Sequence, residues 1–190
     1  MSLASVSFKI AATLHDKKRD MSLEVDPTIE ARYDIQYGES KKYNSLDVYY
    51  PKGTTEKLPV IVNFHGGGYV HGNKKNYLHY CMFLARQGFV VVNPGYHLAP
   101  KSKYPKQLEE LNQVMHWVAG NNEKYFLDMS NVFIAGDSAG AQLAFQYSAV
   151  FTNPDYARLF DFYPPEDLNL RAVASELRHV QHISENGFAR

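Results

Sequence analysis

The sequence predicts an α/β protein whose mainly parallel sheet carries helices on both faces. Three observations predict it. Residues 58–64, 88–93 and 131–135 are continuously apolar runs bounded by Gly, Pro or Asn, the pattern of central strands buried on both sides. Residues 76–87 and 104–121, between those runs, carry apolar positions at helical spacing, and strands alternating with helices argue for a parallel sheet. Glycine-rich turns follow two of the runs, at the carboxyl ends of strands where such sheets bind ligands.

In chain order, residues 1–32 show helical spacing only in places. Residues 33–37 and 45–50 alternate as an antiparallel pair at a sheet edge, ended by Pro51-Lys52-Gly53. The run 58–64 leads into His65-Gly66-Gly67-Gly68, and a helix over 76–87 returns the chain to the run 88–93. In the helix over 104–121, Leu108, Leu111, Met115 and Val118 form a buried stripe that Gly120-Asn121-Asn122 stops. The run 131–135 ends in Gly136-Asp137-Ser138-Ala139-Gly140.

That last pentapeptide is a Gly-x-Ser-x-Gly at a strand-to-helix junction, a turn too tight for side chains at either flank, which lifts the Ser138 hydroxyl clear of the backbone. Ser138 is therefore the candidate nucleophile. Attack on an ester carbonyl creates an oxyanion, and the donors that stabilise it must already be in place, roughly 2.7–3.1 Å away. Gly66, Gly67 and Gly68 let the main chain approach with no Cβ in the way, and Ala139 adds an N–H at a helix start, where the dipole favours negative charge. These four are the candidate oxyanion donors.

Three segments together resemble the α/β-hydrolase fold and, within it, the hormone-sensitive-lipase-like esterases: His65-Gly66-Gly67-Gly68-Tyr69, Asn93-Pro94-Gly95-Tyr96-His97-Leu98-Ala99-Pro100, and Gly136-Asp137-Ser138-Ala139-Gly140. The resemblance covers residues 33–174 and implies an esterase or lipase acting on a small-molecule ester, short-chain or aryl, through an acyl-enzyme. It also implies that residues 1–32 form a cap over the site and that His65 braces the oxyanion loop. Where relatives carry Arg and Glu in the middle segment, this chain has His97 and Lys101, which removes the basis for expecting the salt bridges those residues make.

A nucleophilic serine needs a histidine base and an orienting carboxylate, in this fold in the order Ser, Asp or Glu, His. The resemblance puts them after the seventh and eighth strands. Reaching those strands takes about 90 residues, whereas 52 follow Ser138 in the 190-residue chain. The triad acid and base are thus expected beyond the C-terminus, and the sheet is expected to be incomplete on that side. The tail offers the right types in order, Asp155, Asp161, Glu166 and Asp167 followed by His179 and His182, but residue type without geometry makes no site. Val173, Leu177, Val180 and Ile183 instead suggest an amphipathic helix, and residues 175–190 depart from the family, so that no sixth strand is expected. The alternative to an active esterase is a catalytically impaired fragment or interaction subunit.

Asp137 sits in the variable slot of the turn, its side chain expected to point away. His71, His79 and His97 match no metal spacing, and no metal or cofactor is expected. Tyr69 and Tyr96 fit a pocket wall or ordinary packing equally, and Tyr156, Phe160, Phe162 and Tyr163 read as buried loop packing. Twenty Lys and Arg balance twenty Asp and Glu, leaving no field that attracts nucleic acid or anionic lipid. The length fits one domain over residues 1–190. The single cysteine, Cys81, excludes an internal disulfide and reads as a packed core thiol, with a cytoplasmic setting as the default. No apolar run reaches the 18 or so residues of a membrane span. An apolar parallel edge left by a missing sixth strand invites self-association, so a homo-oligomer is anticipated.

Overall fold

The computed structural model describes residues 11–14, 16, 18 and 23–176. Six strands form one sheet: β1 (Ile29–Gln36), β2 (Ser45–Pro51), β3 (Leu58–Phe64), β4 (Val90–Pro94), β5 (Leu127–Asp137) and β6 (Leu170–Glu176), in the order β1-β2-β4-β3-β5-β6. β1 and β2 pair antiparallel, as do β2 and β4, while β4, β3, β5 and β6 run parallel. The helices are α1 (Leu78–Arg86), entered through a 3-10 turn at Lys74–Tyr77, then α2 (Lys106–Gly120), α3 (Ala139–Thr152) and the short α4 (Pro154–Ala157).

Alternation along the strands divides the core between the two faces, because successive side chains of a strand point to opposite sides. Val90 and Val92 of β4 and Val48 of β2 pack with Leu108, Leu111, Met115 and Val118 of α2 and with Leu143 and Tyr147 of α3. Val91 and Tyr49 point the other way, onto Tyr77, Cys81, Met82 and Ala85. Each such aliphatic side chain contributes about 1.5–3 kcal/mol on burial. Helices therefore cover both faces, and the unbroken apolar runs of the sequence follow from that.

Two expectations need correction. The strand expected over 131–135 spans Leu127–Asp137. A register irregularity sits between Pro59 and Val60, whose partners are Asp128 and Val132. There Asp128 accepts hydrogen bonds from Ser130 N–H (2.9 Å) and Asn131 Nδ2 (2.7 Å), so polar residues at an irregular step interrupted the apolar signal. The second correction is larger. A sixth strand exists, with Phe133 opposite Ala172 and Ile134 opposite Val173. The helical stripe expected from Val173 onward is not seen at Val173, because a spacing of four satisfies a period of 2 as well as one of 3.6. β5 is therefore interior and β6 takes the edge. Leu177, Val180 and Ile183, like His179 and His182, lie outside the described residues, and so does half of the expected cap, of which residues 11–14 are helical.

Candidate active site

The site forms where β3 and β5 end side by side. Their parallel register runs through Asn63 opposite Ala135 to Phe64 opposite Gly136, so the turns that follow leave the sheet at the same level. Ser138 follows β5 and precedes α3, with φ 49° and ψ −114°, a backbone region that non-glycine residues occupy at a cost of order 1–3 kcal/mol. The flanking glycines allow it. A Cβ on Gly136 would stand 2.5 Å from the carbonyl carbon of Gly140, and one on Gly140 would stand 2.0 Å from the Phe64 carbonyl oxygen. Ser138 is exposed while Asp137 and Ala139 beside it are buried. Ala139 N–H opens the first turn of α3, where positive partial charge collects.

The triple-glycine loop lies against this turn. Gly67 has φ 118° and Gly68 φ 59°. The Gly67 carbonyl accepts from Val70 N–H (3.1 Å) and His71 N–H (2.9 Å), and the Tyr69 carbonyl accepts from Ala99 N–H (2.7 Å). His65 is buried, its ring stacked on Tyr96 with centroids 4.1 Å apart, and its carbonyl accepts the Tyr96 hydroxyl (2.5 Å). Its Nδ1 lies 2.8 Å from the Gly66 carbonyl oxygen. His65 and Tyr96 are thus framework beneath the loop. Burial pushes the Tyr96 phenol well up, which keeps it neutral. Tyr69 instead donates to Gln142 Oε1 (3.1 Å) in the first turn of α3 and so links the glycine loop to that helix.

Sequence reasoning missed two features. The Asp137 side chain, expected only to point elsewhere than at Ser138, has a definite destination: its Oδ1 accepts from Gly66 N–H at 2.8 Å and from the Tyr77 hydroxyl. This contact joins residues 71 apart in sequence, so no local pattern announces it. It also corrects the expectation for Gly66, whose N–H is turned into the protein. Among the described residues, no protein acceptor engages the N–H of Gly67 or Gly68. The second feature is His97, which does pair despite replacing an arginine. Its Nδ1 and its N–H (2.8 Å) both meet the fully buried carboxylate of Glu110, which also accepts Asn44 Nδ2 (2.8 Å). An open cleft of about 550 Å³ is lined there by Tyr37, Asn44, His97, Lys106 and Gln113, and it contains none of the five candidate site residues.

Among the described residues, the Ser138 hydroxyl has no hydrogen-bonded imidazole or carboxylate. Asp155, Asp161, Glu166 and Asp167 are all exposed, and Asp155 pairs with Arg158 (2.9 Å). Tyr156, Phe160 and Phe162 pack on one another at 5.5 and 5.3 Å as expected, whereas Tyr163 is exposed. No group of three or more metal-ligating side chains gathers among the described residues, and none of their helices is long and apolar enough to cross a membrane.

The BD-FAE family model matches residues 46–181, a span that holds both glycine turns and Ser138. The chain belongs to the BD-FAE family. This BD-FAE chain is 34% identical over 98 residues to an acetyl esterase of Salmonella schwarzengrund, an alignment covering 51% of it and 30% of the relative. It is 32% identical over 98 residues to carboxylesterase 20 of Arabidopsis thaliana, covering 48% and 30% respectively. Its fold matches that of an inhibited esterase B from Lactobacillus rhamnosis with a TM-score of 0.82 and 25% identity, over 90% of this chain and 57% of that one. The architecture is that of the hormone-sensitive-lipase-like α/β-hydrolase esterases, as the three motifs implied. The chain spans about a third of the length of the curated relatives it matches.

Proposed function

We propose that this BD-FAE chain is a serine carboxylic-ester hydrolase. The observation that carries the reading is the exposed Ser138 on its strained turn, set against a loop whose Gly67 and Gly68 amides have no acceptor among the described residues. Ser138 Oγ attacks the ester carbonyl and its proton passes to a base. Negative charge moves onto the carbonyl oxygen, where the N–H groups of Gly67, Gly68 and Ala139 receive it. Collapse of the tetrahedral species breaks the bond to the alcohol oxygen, which takes up the proton. Water then cleaves the acyl-Ser138 ester by the same route. The names of the relatives, acetyl esterase and carboxylesterase, support short-chain acyl or aryl esters as substrates. The resemblance puts the base and its orienting carboxylate after Ser138 in the chain.

A second reading, a catalytically impaired chain or interaction subunit, is favoured by the lack of an imidazole on Ser138 among the described residues. Turnover of a chromogenic short-chain ester by the chain and by Ser138→Ala separates the two. The esterase reading expects the substitution to abolish turnover and labelling by a fluorophosphonate, which requires an activated serine. Equal rates with and without the hydroxyl would select the second reading.

A further inference from the structure

We propose that Asp137, together with Tyr77, is the positioning residue that decides which amides of the glycine loop face Ser138. The proposal rests on the esterase reading for its catalytic consequence, although the tether itself is a structural feature. Gly66 N–H donates to Asp137 Oδ1 at 2.8 Å and lies 3.0 Å from the Tyr77 hydroxyl oxygen, while that hydroxyl donates to the same carboxylate oxygen. Asp137 and Tyr77 are each only 4% exposed, so water does not compete for these bonds.

The geometry also explains why residue 66 is glycine. A Cβ there would stand 2.5 Å from Asp137 Oδ2 and 2.7 Å from the Asp137 carbonyl oxygen. The missing side chain makes room for the carboxylate behind the loop and not for substrate in front of it. With the Gly66 amide held inward, the loop turns at Gly67 and Gly68, whose φ values of 118° and 59° carry the next amides away from that carboxylate. Asp137 is also bonded covalently to Ser138. One carboxylate therefore fixes the donor loop to the residue that bears the attacking oxygen, so that the two move as one body. Tyr77, at the end of the 3-10 turn before α1, donates to the same carboxylate oxygen beside the Gly66 amide.

The test uses [15N]glycine-labelled protein, in which the Gly66 amide is one of 12 glycine signals. In Asp137→Ala the Gly66 amide proton is expected to shift, and its exchange with solvent to accelerate at least about 10-fold, as loss of a hydrogen bond to a charged acceptor implies. Asp137→Asn keeps an acceptor oxygen and is expected to retain most of the protection, and Tyr77→Phe is expected to give a smaller change in the same direction. For a short-chain ester, Asp137→Ala is expected to lower kcat about 100-fold, the effect of misplacing donors by about 1 Å, with KM within about twofold. Asp137→Asn should recover much of that kcat. An unchanged Gly66 amide in Asp137→Ala and Tyr77→Phe overturns the proposal, as does a loss confined to melting temperature. If wild type turns over no faster than Ser138→Ala, the esterase reading fails, and the Gly66 signal still decides the tether.

Discussion

Ser138 shows how much a single residue depends on its neighbours. Its φ of 49° is held by glycines on which side chains have no room, and Gly140 is the more demanding. A Cβ there meets the Phe64 carbonyl oxygen at 2.0 Å and the His65 carbonyl oxygen at 2.8 Å. Both are backbone atoms of β3 and its loop, so neither yields by rotating. Gly140→Ala is expected to lower stability by about 3 kcal/mol, the upper range for overpacking, read as a fall in the denaturant midpoint with the slope unchanged. Cys81 makes the opposite case. It is fully buried, and burial pushes its thiol well up, so at neutral pH the reactive thiolate is scarce and shielded. Native protein should react with a chromogenic disulfide only as fast as it opens, and denaturant should release one thiol at once; prompt reaction of the native protein would show the packing around Cys81 to be loose.

Glu110 of α2 ties three elements together: His97 from the segment after β4, Asn44 before β2, and its own helix. Replacing it with Ala removes the acceptor these three hydrogen bonds share, and donors left unsatisfied at about 1–3 kcal/mol each sum to about 3–5 kcal/mol. Glu110→Ala is therefore expected to lower the unfolding free energy by about that amount, whereas His97→Ala, which removes one of three donors, should cost less; equal losses would mean the ring and not the carboxylate organises the cluster. The elements themselves were legible where their periodicity was unmixed. The α2 stripe of Leu108, Leu111, Met115 and Val118 lies in the core as its spacing predicted, and β3 starts and stops at the expected residues. β6 was not legible, since Val173 fits the strand period as well as the helical one and only its pairing with β5 decides between them. The two glycine turns were equally plain, yet the Asp137 tether was not, because a contact between residues 66 and 137 exists only once β3 and β5 are neighbours.

Across the whole molecule, the sheet has two edges among the described residues, β1 and β6. β6 is parallel to β5 and exposes Arg171, Ala172, Ala174 and Ser175, so its outer N–H and C=O groups form a template for another strand. Any self-association through a parallel edge is therefore anticipated at β6 and not at β5. Sedimentation of the chain is expected to show association that Ala174→Pro, which removes an N–H, reduces; a monomer at all concentrations would show that edge to be covered. The register of β3 against β5 has a further consequence for how such a protein can change. Because Phe64 and Gly136 close the ladder together, strand length acts as a ruler for the two turns. One residue added within β3 would displace the triple-glycine loop by about 3.3 Å and turn each following side chain to the opposite face of the sheet. Insertions in the surface connections around α1 and α2 leave that ruler untouched, so the connecting segments are free to diversify while the two strands are not.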